Sequence, residues 1–442
     1  MHSPVEFPTS RNKLHMERNG LRRKCAAYKP PSIDPILLFG SAECRNSVKW
    51  SLRLPKVVEK LPLITELQSK GFVASTHTIL SKDGYYTTST RISGSESSPP
   101  KRGKPAVLLF HGMGSRGESW TIQPGNRNLA FMLINAGYEV WLANLRGSTP
   151  SQNHTHLNYK RNLLFWNFSF EEQGTLDLPP LVDLILKETD TEKIYFVCHS
   201  SGCSSYLAGL AEIPELNKKF KAGFLLAPSS FLGSAYGPAA KLRVLSGTSW
   251  EQILFVLLRG RRNGGQSDLA KALGFPGMET ICSISALQCG LCDRFIFAMF
   301  GADVKQLNFT NIPNMIAKSQ DNTVWKSLVH TGQNLMSCGF NKFDYGSRRN
   351  LVEYGSQYPP KYDLEKVAVP TYIFYGESDN LITPWDAERT KQAIPSKYMK
   401  GFYRVDWPLF NHIDFLMAND ADILVYKKIL TIMDELEIKN GK

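Results

Sequence analysis

The chain has 442 residues, of which 42% are hydrophobic and 21% charged, so a sizeable packed core is possible and global disorder is excluded. The formal net charge of +12 would suit a nucleic-acid binder, but residues 1–60 hold 12 Lys+Arg against 5 Asp+Glu. The other 382 residues therefore carry only +5, with no basic stripe interleaved with aromatics, and a nucleic-acid partner is set aside. The longest apolar run beyond the first sixty residues, "ILFVLL" at 253–258, is far short of the roughly 20 residues a transmembrane helix needs.

In chain order, residues 1–55 are basic and punctuated by six prolines, from Pro4 to Pro55. They read as a poorly ordered extension whose "LRRKC" cluster at 21–25 is a solvated tail. No apolar h-region stands in the first thirty residues, and "DPILLFGSA" at 34–42 is too short to serve as one, so no signal peptide is read there. "PKVVEKLPLITELQSKG" then has helical spacing and a stop at Gly71. "ASTHTILSKDGYYTTSTRIS" alternates about Asp83-Gly84, which predicts a β-hairpin, and "GSESSPPKRGKP" is a loop.

From Ala106 short apolar strands alternate with helices. "AVLLFHG", "YEVWLANLRG", "EKIYFVCHS" and "KAGFLLAP" read as strands, with "NRNLAFMLINAG", "LDLPPLVDLILKET" and "SGCSSYLAGLAE" as helices between them. Strands apolar on both faces belong to a parallel sheet covered by helices. Residues 229–360 turn mainly helical, with "GRRNGG" at 260–265 as a loop, before "VAVPTYIFYGESD" and "KGFYRVDWPLFNH" restore the strand texture. The division expected is therefore an α/β core over 56–228 and 361–442 with a helical cap, 229–360, inserted between its parts.

"CHSSG" at 198–202 nearly spells G-x-S-x-G, the strand-to-helix turn that lifts a nucleophilic serine above a sheet. "KIYFVC" leads in as a strand and "SGCSSYLAGLAE" leads out as a helix. Small residues are needed two places either side of Ser200; Gly202 meets this, and Cys198 is tolerable, its thiol tucked against the adjoining strand. An oxyanion hole would take one N–H from Ser201 and one from Met113 in "LLFHGMG". Asp379 in "YIFYGESDN" and His412 in "PLFNHIDF" follow later strands in the order Ser, Asp, His, which suits a carboxylate that orients an imidazole and an imidazole that takes the serine proton. His199 reads as a packed elbow residue.

Several longer stretches resemble the acid lipase family, the group of gastric lipase and lysosomal acid lipase, from about Leu61 to Lys428. They include "SKDGYYTTSTRI", "LAFMLINAGYEVWLANLRGS", "FWNFSFEEQGTLDLP", "YPPKYDLEKVAVP" and "NHIDFLMANDA". The resemblance implies an α/β-hydrolase fold and hydrolysis of acylglycerols or cholesteryl esters at a lipid–water interface. It further implies Ser200, Asp379 and His412 as the triad, a mobile lid in the cap, no cofactor, and a secreted or lysosomal setting. The chain departs from the family's usual G-H-S-Q-G at Cys198 and Ser201, and Gly114 after Met113 is expected to loosen that donor. By the same resemblance Cys282 and Cys292 are expected to form a disulfide, leaving Cys289 and Cys338 free or oddly paired.

The C-x-x-C at 289–292 lacks the βαβ setting of a redox motif and the further ligands of a zinc site, even with Cys282 and Cys338 recruited, so no metal is expected. Three sequons, at Asn153, Asn167 and Asn308, would carry glycans only in a secreted chain. A second function class, a catalytically silent relative that binds lipid in the same pocket, is kept beside the esterase because of the altered elbow. It is disfavoured because silent relatives usually lose a triad side chain, and all three are present.

Overall fold

A computed structural model describes residues 62–238, 240 and 292–440. The basic extension, "GRRNGG", Cys282 and Cys289 lie outside the described residues.

Helix α1 (Leu63–Ser69) leads into β1 (Val73–Leu80), which pairs antiparallel with β2 (Tyr85–Gly94) across the Asp83-Gly84 turn, in register from Ala74 opposite Ile92 to Leu80 opposite Tyr86. This is the expected hairpin. Strand β3 (Ala106–Phe110), helix α2 (Leu129–Asn135), strand β4 (Glu139–Asn144) and the two-residue β5 (Asn153–His154) follow. Then come α3 (Leu178–Thr189), β6 (Ile194–His199), α4 (Ser201–Glu212) and β7 (Phe220–Leu226). The strands join in the order β1-β2-β4-β3-β6-β7-β8-β9, with β5 off this path beside β2, once β8 (Thr371–Tyr375) and β9 (Met399–Arg404) are included. From β4 to β9 every pairing in that order is parallel. The fold is α/β-hydrolase, as expected.

The pleat sorts the core into two layers. On β3, Val107 and Leu109 face one cluster, while Ala106, Leu108 and Phe110 face the other; on β6, Tyr195 and Val197 oppose Ile194, Phe196 and Cys198. Helix α2 covers the first face and α3 and α4 the second, which is why these strands read as unbroken apolar runs rather than alternating ones. Between β7 and β8 the regular elements among the described residues are all helical: α5 (Asp293–Phe300), α6 (Ile312–Ser319), α7 (Trp325–Ser337) and α8 (Ser347–Tyr354). Helix α9 (Pro384–Ala393) separates β8 from β9. The chain closes with α10 (Asp414–Met417) and α11 (Lys427–Asn440), whose Ile429, Ile432 and Met433 seal the first face. The topology brings the C-terminal ends of β3, β6, β8 and β9 to one edge of the sheet, where the residues singled out from the sequence stand.

Candidate active site

The chain reverses at Ser200, between β6 and α4. Ser200 takes φ 56° and ψ −126°, a region a non-glycine residue enters only when its surroundings force it. Its N–H donates to Leu226 O (3.0 Å), and its carbonyl accepts from Cys203 N (3.0 Å) and Ser229 N (3.4 Å). Gly202 is obligatory here, because a Cβ would run into the carbonyl oxygens of His111 and Phe110. The turn therefore presses against the end of β3 and aims the Ser200 hydroxyl at His412.

His412 Nε2 lies 2.9 Å from Ser200 Oγ, and its Nδ1 lies 2.8 Å from Asp379 Oδ2. Asp379 Oδ1 accepts from the N–H groups of Leu381 and Ile382, both at 2.8 Å. An ionised carboxylate only accepts, so Asp379 fixes the proton on Nδ1 and leaves Nε2 free to accept from the serine hydroxyl. All three side chains are buried.

Several residues that local motifs did not single out hold this relay. The carbonyl of Phe300, at the end of α5, accepts from His412 N (3.2 Å) and Asn380 N (3.4 Å), and the Phe300 ring stacks over the imidazole at 6.0 Å and 12°. Gly301, at φ 110°, has no room for a Cβ against Ser378 O, and its own carbonyl accepts from Asn411 Nδ2 (3.0 Å). Asp414 accepts from Asn411 N (2.7 Å). Burial, together with the charge of Asp303 nearby, raises its carboxyl well above the usual range. Behind the elbow, the His199 ring meets His412 O through Nε2 at 2.9 Å; burial first, and then His412, depress it to about 3, so the ring stays neutral and must donate from that nitrogen. His199 is packed, as expected, and also ties the elbow to the histidine loop.

Ser201 opens α4, so its N–H is among the donors a helix leaves unpaired. It lines a polar cavity together with Met113, Ser115, Gln173, Asn322 and Ser327. The loop around Met113 is tightly held. His111 Nε2 accepts from Leu145 N (3.1 Å), so Nδ1 carries the proton and donates to Gly112 O (2.8 Å); burial depresses this ring to about 4. Gly114 sits at φ 67°, where a Cβ would crowd Thr323, and its carbonyl accepts from Asp321 N at 2.7 Å. The glycine lets the loop close against residues 321–323.

The expectation for Cys198 is corrected. It carries no free thiol but is disulfide-bonded to Cys203, with Cα atoms 5.1 Å apart. Two cysteines bracketing the elbow five positions apart are the signal for this bond in the sequence. Cys292 and Cys338 are also disulfide-bonded, so Cys338 is not free; Cys282, the expected partner of Cys292, lies outside the described residues. Among the described residues no cluster of three or more His, Cys, Asp or Glu side chains could hold a metal. Asn153 and Asn167 are exposed, while Asn308 is half-buried and accepts from Asn311 N (3.2 Å).

Similarity to known proteins extends over most of the chain. The family model for the alpha/beta hydrolase fold matches residues 105–404, and that for a partial alpha/beta-hydrolase lipase region matches residues 65–124. Lipase 3 of Drosophila melanogaster is 30% identical over 84% of this chain and 92% of its own length. The human lysosomal acid lipase/cholesteryl ester hydrolase is 30% identical over 82% and 88%, and the bovine gastric triacylglycerol lipase 30% over 83% and 89%. The chain belongs to the acid lipase family of α/β-hydrolases. It is a carboxylic ester hydrolase by that membership. A crystal structure of a Sulfolobus solfataricus protein superposes with a TM-score of 0.54 at 15% identity, over 83% of this chain and 95% of that one, a likeness of fold alone.

Proposed function

We propose that this lipase-family protein hydrolyses the ester bonds of neutral lipids, acylglycerols or sterol esters, with Ser200 as nucleophile, His412 as base and acid, and Asp379 as its orienting carboxylate. The observation that carries the reading is the continuous relay of 2.8 and 2.9 Å contacts ending on a serine held in a strained turn. The names of the human and bovine relatives support the substrate class.

In the first half-reaction the Ser200 proton passes to His412 Nε2 as Oγ bonds to the ester carbonyl carbon. The carbonyl oxygen becomes an oxyanion, met by the Met113 and Ser201 N–H groups. Its collapse breaks the ester C–O bond, His412 returns the proton to the departing alcohol, and the acyl group stays on Ser200. Water, deprotonated by His412, then attacks the acyl carbon. The C–Oγ bond breaks, Ser200 regains its proton and the fatty acid leaves.

We infer that residues 229–360 form a cap over an apolar acyl site, that residues 1–55 are an extension outside the chemistry, and that the chain works in a secretory or lysosomal setting at a lipid–water interface. Hydrolysis of fatty-acyl esters of increasing chain length by the wild type and by Ser200→Ala tests the reading. Rising rates with chain length, lost in Ser200→Ala, support it. Lipid binding without turnover in either protein would instead favour the silent relative.

A further inference from the structure

The nucleophile turn of this chain carries a covalent bond across it. Cys198 is the penultimate residue of β6, and Cys203 lies in the first turn of α4; the bond between them encloses His199, Ser200, Ser201 and Gly202. Five residue steps of extended chain span roughly 17 Å, whereas these Cα atoms stand 5.1 Å apart. The cross-link is therefore compatible only with a sharp reversal such as the one that presents Ser200. Both sulfur-bearing residues are fully buried in the layer between the sheet and α3 and α4, so the bond is part of the packed core.

What it holds is the strained residue. Ser200, at φ 56°, is fixed from outside by the Leu226 carbonyl and the close approach of Gly202 to β3. A non-glycine residue stays in such a conformation only where its surroundings over-determine it. The buried Cys198 side chain fills the space before the serine, and because it is bonded to the helix start it adds a restraint where a lone side chain would only add bulk.

We propose that the Cys198–Cys203 disulfide is a positioning device for Ser200, clamping strand end to helix start so that Oγ is held against His412 Nε2, and that full activity requires this bond. The inference rests on Ser200 being the nucleophile. Forming the bond removes two electrons and two protons from the paired thiols. A donor disulfide supplies the oxidant by thiol–disulfide exchange and leaves as two thiols. The elbow thus matures only where such donors are available, in an oxidising compartment.

The test combines mapping with kinetics. Native wild-type protein is alkylated without reduction and digested, and Cys198 and Cys203 are expected in one cross-linked peptide; alkylated thiols at both positions would overturn the proposal. The variants Cys198→Ala/Cys203→Ala and Cys198→Ser/Cys203→Ser are then compared with wild type on a soluble short-chain ester, well below each variant's melting temperature. A fall in kcat of about tenfold is expected with KM nearly unchanged, and with an equal fall in the rate at which a phosphonate ester labels Ser200. A bond that only stabilised the fold would lower the melting temperature and leave both rates intact, and that result in either folded variant would overturn the proposal. A wild-type protein that never labels would instead refute Ser200 as nucleophile, and the clamp with it. If neither variant folds, wild type reduced and alkylated in mild denaturant and returned to buffer is the remaining arm. A native fold with an unchanged labelling rate would overturn the proposal, and a native fold with slowed labelling would support it.

Discussion

The two halves of the candidate site are held in opposite ways. The serine half is local: one strand, one turn and one helix, closed by a disulfide spanning five residues, with Gly202 against β3. The acid and histidine half is held from a distance. Asp379 and His412 sit on separate loops 33 residues apart, and the end of α5 with the segment after it binds both. Phe300 O receives N–H groups from each loop, Gly301 bonds Asn411, and Leu307 bridges Ala418. A nucleophile built from contiguous residues can be preformed by its own chain. Its base can be aligned only once the helices between β7 and β8 have packed.

The largest effect should come from breaking either half at its reacting atom. Ser200→Ala and His412→Ala should each lower kcat by about four orders of magnitude or more, with residual turnover from the oxyanion donors. Initial rates on a soluble fatty-acyl ester measure this. If the contrast between the halves holds, Gly301→Ala should come next. Its left-handed φ of 110° and the blocked space beside Ser378 require the return segment to shift, so His412 should lose alignment while the elbow stays formed. A fall in kcat of roughly 10- to 100-fold, with Cys198 and Cys203 still cross-linked by peptide mapping, is the expected outcome.

How legible each half was in the sequence follows from the same contrast. The elbow, Asp379 and His412 could be read because each lies just after a strand, in a short motif whose residue types the chemistry demands. The hairpin and the α/β order were legible from periodicity alone. Phe300 and Gly301 belong to no local pattern; their importance exists only after residues more than a hundred positions apart meet. The disulfide is hidden for another reason: size accounts for Cys198 beside the serine, and the bond follows only once a strand end and a first helical turn stand within bonding reach.

The halves should also respond oppositely to pH. His111 and His199, beside the elbow, are depressed by burial to about 4 and about 3. Between those values and the unfolded pKa of roughly 6.5 the unfolded chain binds more protons, so their contribution is present above that pKa and is lost as pH falls. Asp386, at the start of α9, accepts from Ser234 N, and burial raises its carboxyl to about 6. There the folded chain binds more protons, so stability is lost as pH rises from roughly 4 through about 6. Asp386→Asn should therefore lessen the fall of the melting temperature between those values, with the Asp414 carboxyl still raised, and leave the loss on the acid side in place. Thermal melts across pH 3 to 8 would check both limbs.

The smallest effect is expected at Ser201. On the proposed mechanism the oxyanion contact uses its backbone N–H, so Ser201→Gln should change kcat/KM by no more than about threefold. A larger loss would mean that the side chain or the polar cavity beside it takes part.

The central claim, that Ser200 is a nucleophile activated by His412, is tested most directly by active-site mass spectrometry. A fatty-acyl phosphonate is incubated with the full-length protein, with His412→Ala and with Asp379→Asn. One adduct per chain should form on wild type, mapped to Ser200, with labelling abolished in His412→Ala and strongly slowed in Asp379→Asn. An adduct on another residue, or equal labelling of wild type and His412→Ala, would contradict it.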